Sequence, residues 1–220
     1  MLEAERGRVA SAARRLAAAG LVLGTAGNVS ERAGRLVAIS PTGGALAELD
    51  AGAVAVVDLD GKQVDGDLRP TSEIELHLGV YHRFEVGAVV HLHPPMGTAL
   101  ACVLDELPLV HYQMLALGGP VRVAPYATFG SGELAAATLD ALEGRMAALM
   151  SNHGTIALGG DLEGALANAE LLEWACELYW RAATLGTPRT LDEGQQAAVV
   201  EAVTARAYGA PQPRTEVIGG

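Results

Sequence analysis

Lysine is almost missing from this 220-residue chain: Lys62 is the only one. It lies in "LDGKQVDGD", whose Asp-Gly pairs predict an exposed hairpin turn. Schiff-base catalysis needs a partly buried lysine with a lowered pKa, so that chemistry is a poor fit here. Basic residues are scarce overall, 15 Lys and Arg against 26 Asp and Glu, for a formal net charge of −11. This balance argues against a general nucleic-acid binder, which needs a basic patch to neutralise phosphates. It leaves room for a small phosphorylated ligand held by backbone N–H groups and hydroxyls. The two cysteines, Cys102 and Cys176, exclude a disulfide framework and are expected as reduced thiols on apolar helix faces. Half of the residues are hydrophobic, yet no apolar run approaches the roughly 18 residues that cross a bilayer. The start, "MLEAERGRVASAARRLAAAG", has no apolar signal-peptide core, so a soluble cytoplasmic protein without a membrane partner is expected.

What is present is a patchwork of helical and strand patterns with no internal repeat and no linker that forces a domain boundary. One domain over residues 1–220 is expected, with a loose tail from about 208. Residues 2–19 show helical spacing, with Val9, Ala13, Leu16 and Ala17 able to share a face and Gly20 as a stop. A loop rich in Gly, Thr, Asn and Ser leads to a strand at Leu36–Ser40. Residues 53–59 and 62–65 pattern as a hairpin, and "PTSE" starts a helix. A strand at Ala88–His91, a helix at Met96–Leu104, an extended piece near Leu109–Tyr112 and a strand at Val121–Ala124 follow. Beyond them come a helix over 131–143, two strand segments broken at Asn152-His153-Gly154, a long helix from Asp161 and a last helix over 191–206. The irregular alternation and the hairpin predict a mixed or antiparallel α/β sheet covered by helices.

The chemistry concentrates in "VVHLHPP". Side chains alternate along a strand, so His91 and His93 project from one face, a geometry that suits two ligands on one cation. The same spacing also fits two hydrogen-bonded residues closing a strand. A third imidazole, His153, sits in "SNHGT", and an acid, Glu73, stands at a predicted helix start; three ligands plus an open position are common at catalytic zinc. Asn152 and Gly154 make a plain turn the competing explanation for His153. His77, His82 and His111 compete for any ligand role, with surface or helix-packing positions expected for the first two. The loops "GTAGN", "SPTGG" and "PTSE" supply neutral donors that together suit one phosphate or carboxylate, although turns use the same residues for backbone reasons.

Taken in order, "GTAGNVSER", "SPTG", "PTSE" with His77, "AVVHLHP", "HYQMLALGG", "VAPYATFGSGEL", "SNHGTIALG" and "AYG" resemble the class II, zinc-dependent aldolase and epimerase family over essentially the whole chain. The resemblance implies a central, mostly antiparallel sheet between helical layers and a homotetramer with active sites at subunit interfaces. It implies one Zn2+ on His91, His93 and His153, with Glu73 as acid/base and as an occupant of the open metal position. It also implies a phosphate site of Thr25, Asn28, Thr42, Gly43, Thr71 and Ser72. Tyr112 would reach a neighbouring subunit's site as proton donor or acceptor, Phe129 would line the aldehyde pocket and Tyr208 would close it. Ordinary packing is the competing role for these aromatics.

The implied reaction is reversible cleavage of a ketose 1-phosphate, such as L-fuculose 1-phosphate or a 5-deoxyketose 1-phosphate, to dihydroxyacetone phosphate and a short aldehyde. A zinc ion would stabilise the enediolate in place of a lysine imine. L-ribulose-5-phosphate 4-epimerase and methylthioribulose-1-phosphate dehydratase activities share the machinery. Relatives with epimerase activity typically carry aspartate where this chain has Glu73, which favours the aldolase. A sugar-phosphate-binding protein without catalysis is the alternative from another class.

Overall fold

The computed structural model describes residues 1–205, so the expected loose tail from 208 and Tyr208 lie outside the described residues. The elements are α1 (Glu3–Ala18), β1 (Asn28–Ala33), β2 (Leu36–Ile39), β3 (Ala55–Asp58), β4 (Gln63–Asp65), α2 (Ile74–Arg83), β5 (Ala88–Leu92) and α3 (Pro95–Ala101). They continue with β6 (Glu106–Leu107), β7 (Val121–Ala124), α4 (Gly132–Ala141), β8 (Ala147–Met150), β9 (Gly154–Gly159), α5 (Leu162–Leu185) and α6 (Glu193–Ala205). The strands form one sheet in the order β4-β3-β2-β1-β5-β9-β8-β7-β6. Its neighbours are antiparallel except for the parallel pair β7 and β8, as the sequence pattern predicts.

The sheet is apolar on both faces, and the alternation along β5 shows why. Val90 and Leu92 point into a core with Val9, Leu16, Leu100, Leu166 and Leu172, under α1, α3 and α5. Val89 points into the opposite core with Leu76, Val80, Leu134, Leu142 and Ile156, under α2 and α4. Burying both faces gives the near-continuous hydrophobic run that made β5 recognisable. No helix among the described residues is long and apolar enough to cross a membrane.

Several local expectations are corrected. Asn28–Ala33 is a strand, although the sequence patterns as loop there. Its polar Asn28, Ser30 and Glu31 are buried because they meet polar partners on both faces, with Glu31 taking the Arg8 guanidinium and Ser30 meeting His77. The extended piece expected near Leu109–Tyr112 stops at His111, which is extended; Tyr112 already begins a 3-10 helix over Tyr112–Leu117, opened by the His111 ring accepting from the Gln113 amide and closed by Gly118 at φ 92°. Helix α3 ends at Ala101, short of the predicted Leu104, so Cys102 falls past the apolar stripe and is exposed; Cys176 is buried as expected.

Candidate active site

Strand β5 lies between β1 and β9, with His91 opposite Asn28 on one side and Ile156 on the other. His91 shares the face of Val89, and His93, two residues on, turns to the same side. Their Nε2 atoms are 3.1 Å apart. The β8 to β9 turn delivers His153: Asn152 takes the left-handed conformation at φ 53°, and the His153 amide donates to the Met150 carbonyl. The three imidazoles stand edge to face with every pair of centroids 4.9 Å apart. Glu73, the residue before α2, brings Oε2 to 3.1 Å from His91 Nε2 and Oε1 to 3.3 Å from His153 Nε2. The expected cap differs in detail: Glu73 occupies the cap position without capping, and Thr71 Oγ1 accepts from the Glu73 amide.

Among the described residues, Glu73, His91, His93 and His153 form a group that could hold a metal ion, with ligand atoms all within 4.8 Å of one another. Three observations fit an ion there. Donors 2.0–2.1 Å from a tetrahedral ion sit roughly 3.3 Å apart, close to the separations above. His91 Nδ1–H donates to the Thr155 carbonyl at 2.8 Å, which fixes the tautomer with the Nε2 lone pair facing the cluster. Glu73 Oε1 is buried without a well-formed hydrogen bond. Burial pushes His93 down to about 4, with the neighbouring His91 and His153 rings acting in the same direction and Glu73 opposing, so its ring is neutral and able to ligate near neutral pH. Burial also disfavours the Glu73 carboxylate, but His153, His91 and Asn28 outweigh it and hold its pKa well below the usual carboxylate range.

Two expectations follow from this packing. Gly154 sits so close to β5 that a Cβ would fall 2.3 Å from the Leu92 carbonyl oxygen and 2.6 Å from the His93 ring. Gly154→Ala should therefore cost about 1–3 kcal/mol of stability and weaken metal binding by displacing His93. Denaturant titration with metal analysis checks this, and a wild-type midpoint would refute it. The second concerns pH. The His77 ring is completely buried, and burial pushes it down to about 3, with the nearby His91 acting in the same direction and Glu73 opposing. Between roughly pH 6.5 and 3 the unfolded chain binds a proton there that the folded chain refuses, so stability falls as pH falls through that window. Glu73 acts in the same direction below its ordinary pKa. The metal-free protein should lose about 2 kcal/mol between pH 7 and pH 5 from His77 alone, and equal unfolding midpoints at the two pH values would contradict this.

The anion-suited loops also converge. Pro41 and Pro70 form an antiparallel bridge, the Thr42 amide donates to Arg69 and the Thr71 amide to Ser40, which sets "SPTGG" beside "PTSE". Gly43, inside the first of these loops, takes φ 68°, a backbone conformation that favours glycine. Thr25, Thr42, Gly43 and Ser72 are exposed and Thr71 is buried. Asn28 is 3% exposed, and its side chain is already engaged with Glu73 and His77. Phe129 is 69% exposed on a loop whose Gly130 packs against the Ser72 carbonyl. The Tyr112 ring lies 4.5 Å from that of His111, and with Leu115, Leu171, Val200 and Val203 it lines an apolar cleft of about 400 Å³. His82 is exposed and bonds the Leu59 carbonyl, as a surface role predicts. His77 is the residue that sequence reasoning undervalued, although its position four residues after Glu73 placed it on the same helix face.

Residues 7–180 match the family model described as "Class II Aldolase and Adducin N-terminal domain". The chain belongs to this family. Its similar relatives include the "5-methylthioribulose-1-phosphate/5-deoxyribulose-1-phosphate aldolase" of Rhodospirillum rubrum, 40% identical over 192 residues that cover 86% of each chain. The "5-deoxy-D-ribulose 1-phosphate aldolase" of Bacillus thuringiensis serovar kurstaki is 37% identical over 199 residues, 89% of this chain and 93% of that protein. A solved "L-fuculose 1-phosphate aldolase" superposes with a TM-score of 0.87 at 33% identity, covering 91% of this chain and 96% of that one. With relatives this similar over nearly their whole length, the chain is a class II aldolase, and the layered α/β fold is that of its family.

Proposed function

We propose that this class II aldolase cleaves a ketose 1-phosphate reversibly to dihydroxyacetone phosphate and a short aldehyde. A 5-deoxypentulose 1-phosphate is the foremost substrate and L-fuculose 1-phosphate the second. The convergence of Glu73 with three imidazoles in a chain whose one lysine lies at an exposed position carries the reading. The named activities of the two relatives above support the substrate order.

His91, His93 and His153 would hold one Zn2+, whose neutral-ligand set leaves the ion its positive charge to stabilise an enediolate. Glu73, kept anionic at the mouth of this group, takes and returns the proton at the carbon of dihydroxyacetone phosphate that joins the aldehyde. Thr25, Thr42, Gly43, Thr71 and Ser72 offer hydroxyl and backbone donors to the phosphate, with Asn28 at the inner end of the cradle. Phe129 borders the aldehyde end. Tyr112 serves the aldehyde oxygen in a neighbouring subunit of a tetramer.

The reading is tested by incubating the zinc-loaded protein with 5-deoxyribulose 1-phosphate and with L-fuculose 1-phosphate, coupling product to glycerol-phosphate dehydrogenase. Dihydroxyacetone phosphate is expected from the former at the higher kcat/KM. Its absence from both refutes an aldolase of this class of substrate. Epimerised pentulose 5-phosphate or loss of water from methylthioribulose 1-phosphate would favour the two related activities instead.

A further inference from the structure

Behind Glu73, four buried side chains form a continuous hydrogen-bonded chain, and of these only Asn28 has a part in the chemistry above. Tyr81 and Asn28 are 3% exposed, and Ser30 and His77 fully buried. Two of them come from α2 and two from β1, whose alternation points Asn28 and Ser30 to the α2 face.

The direction of each bond follows from the one before it. A carboxylate can only accept, so the atom of Asn28 that meets Glu73 Oε2 at 2.9 Å must be Nδ2. The amide oxygen is thereby turned to His77 Nε2, and since a carbonyl oxygen only accepts, Nε2 carries the hydrogen. Nδ1 of that tautomer is a bare acceptor, so the Ser30 hydroxyl donates to it at 2.7 Å. Ser30 Oγ then accepts from the Tyr81 hydroxyl, also at 2.7 Å. Every hydrogen points toward Glu73, the arrangement in which successive bonds polarise one another in the same sense.

We infer that His77 is a positioning residue, which as its neutral Nε2–H tautomer locks the Asn28 amide with its donor side toward Glu73 and so holds the Glu73 carboxylate in place for proton transfer. The amide of an asparagine is otherwise close to two-fold, and a flipped Asn28 would set its oxygen against the carboxylate. The inference rests on Glu73 being the proton-transfer group, as proposed above.

The decisive measurement is direct and needs no turnover. In zinc-loaded protein labelled with 15N-histidine, long-range 1H–15N correlation should show His77 protonated at Nε2 and bare at Nδ1. An Nδ1–H tautomer or an imidazolium would overturn the inference. The second arm compares His77→Phe, which keeps a ring and loses both nitrogens, with His77→Gln, whose amide nitrogen can reach the Nε2 position. His77→Phe should lower kcat roughly 10–100-fold, the range for groups that orient functional side chains, with metal content and KM little changed. His77→Gln should recover most of the kcat. Equal loss in both folded, metal-loaded variants would reduce His77 to a packing role and refute the inference. If His77→Phe does not fold, the tautomer measurement on the wild-type protein decides. Wild-type turnover in Glu73→Gln would instead sink the assignment of Glu73, and leaves the tautomer result standing on its own.

Discussion

Replacing Glu73 by glutamine should lower kcat by roughly 10²–10⁴-fold while the protein still takes up its metal. The substitution preserves side-chain volume and leaves an oxygen for the Asn28 amide, which donates to Glu73 Oε2 at 2.9 Å. It removes the one capacity that proton transfer needs, a basic oxygen. Three imidazoles remain to hold the ion, so metal content should stay close to that of the wild type. Solvent-hydrogen exchange into dihydroxyacetone phosphate without aldehyde isolates the step and should fall in parallel. Retained turnover and exchange would show that the proton moves elsewhere. The Asn28 amide, which donates to Glu73 Oε2, favours the charged carboxylate, so the loss should appear in kcat across the neutral range.

His93→Ala should have an equally large effect by a different route. Its Nε2 lies 3.1 Å from that of His91, and its ring stands 4.9 Å from those of both partners, so its removal leaves two imidazoles and a carboxylate around an open gap. Metal affinity should fall by more than the roughly 10–100-fold that accompanies loss of an orienting group, and activity should fall with it. His82→Ala is the control, since His82 is exposed on α2 and bonds the Leu59 carbonyl. Stoichiometric metal on purified His93→Ala would remove His93 from the ligand set. Comparing the variants separates chemistry from metal retention: Glu73→Gln should be loaded and slow, and His93→Ala should be empty.

The local elements that shaped the site were legible where one period dominated. β5 showed as an apolar run buried on both faces, β7 from Val121 and Val123, and the break between β8 and β9 from apolar segments on either side of Asn-His-Gly. β1 was hidden because the pattern that marks a strand is hydrophobic alternation, and here Asn28 and Ser30 occupy one inward face. They are buried by hydrogen bonding to α2, a reason invisible to any local window. Cys102 was misplaced for the complementary reason: the apolar pattern runs past Ala101, but the helix stops there.

By itself the sequence determined the chemical inventory: one lysine, which lies in a turn, two histidines on one face of a strand, an acid at a helix start and loops rich in neutral donors. Periodicity is a local property, so it could say which way each of these side chains projects. It could not say which of them meet. That was decided by the antiparallel pairing of β5 with β9, where Leu92 opposite Thr155 brings the turn bearing His153 beside His93. The packing of α2 across β1 likewise sets Glu73 over the imidazoles and His77 behind Asn28. Register and helix placement depend on burying both faces of the whole sheet at once, and so on the full chain rather than any stretch of it.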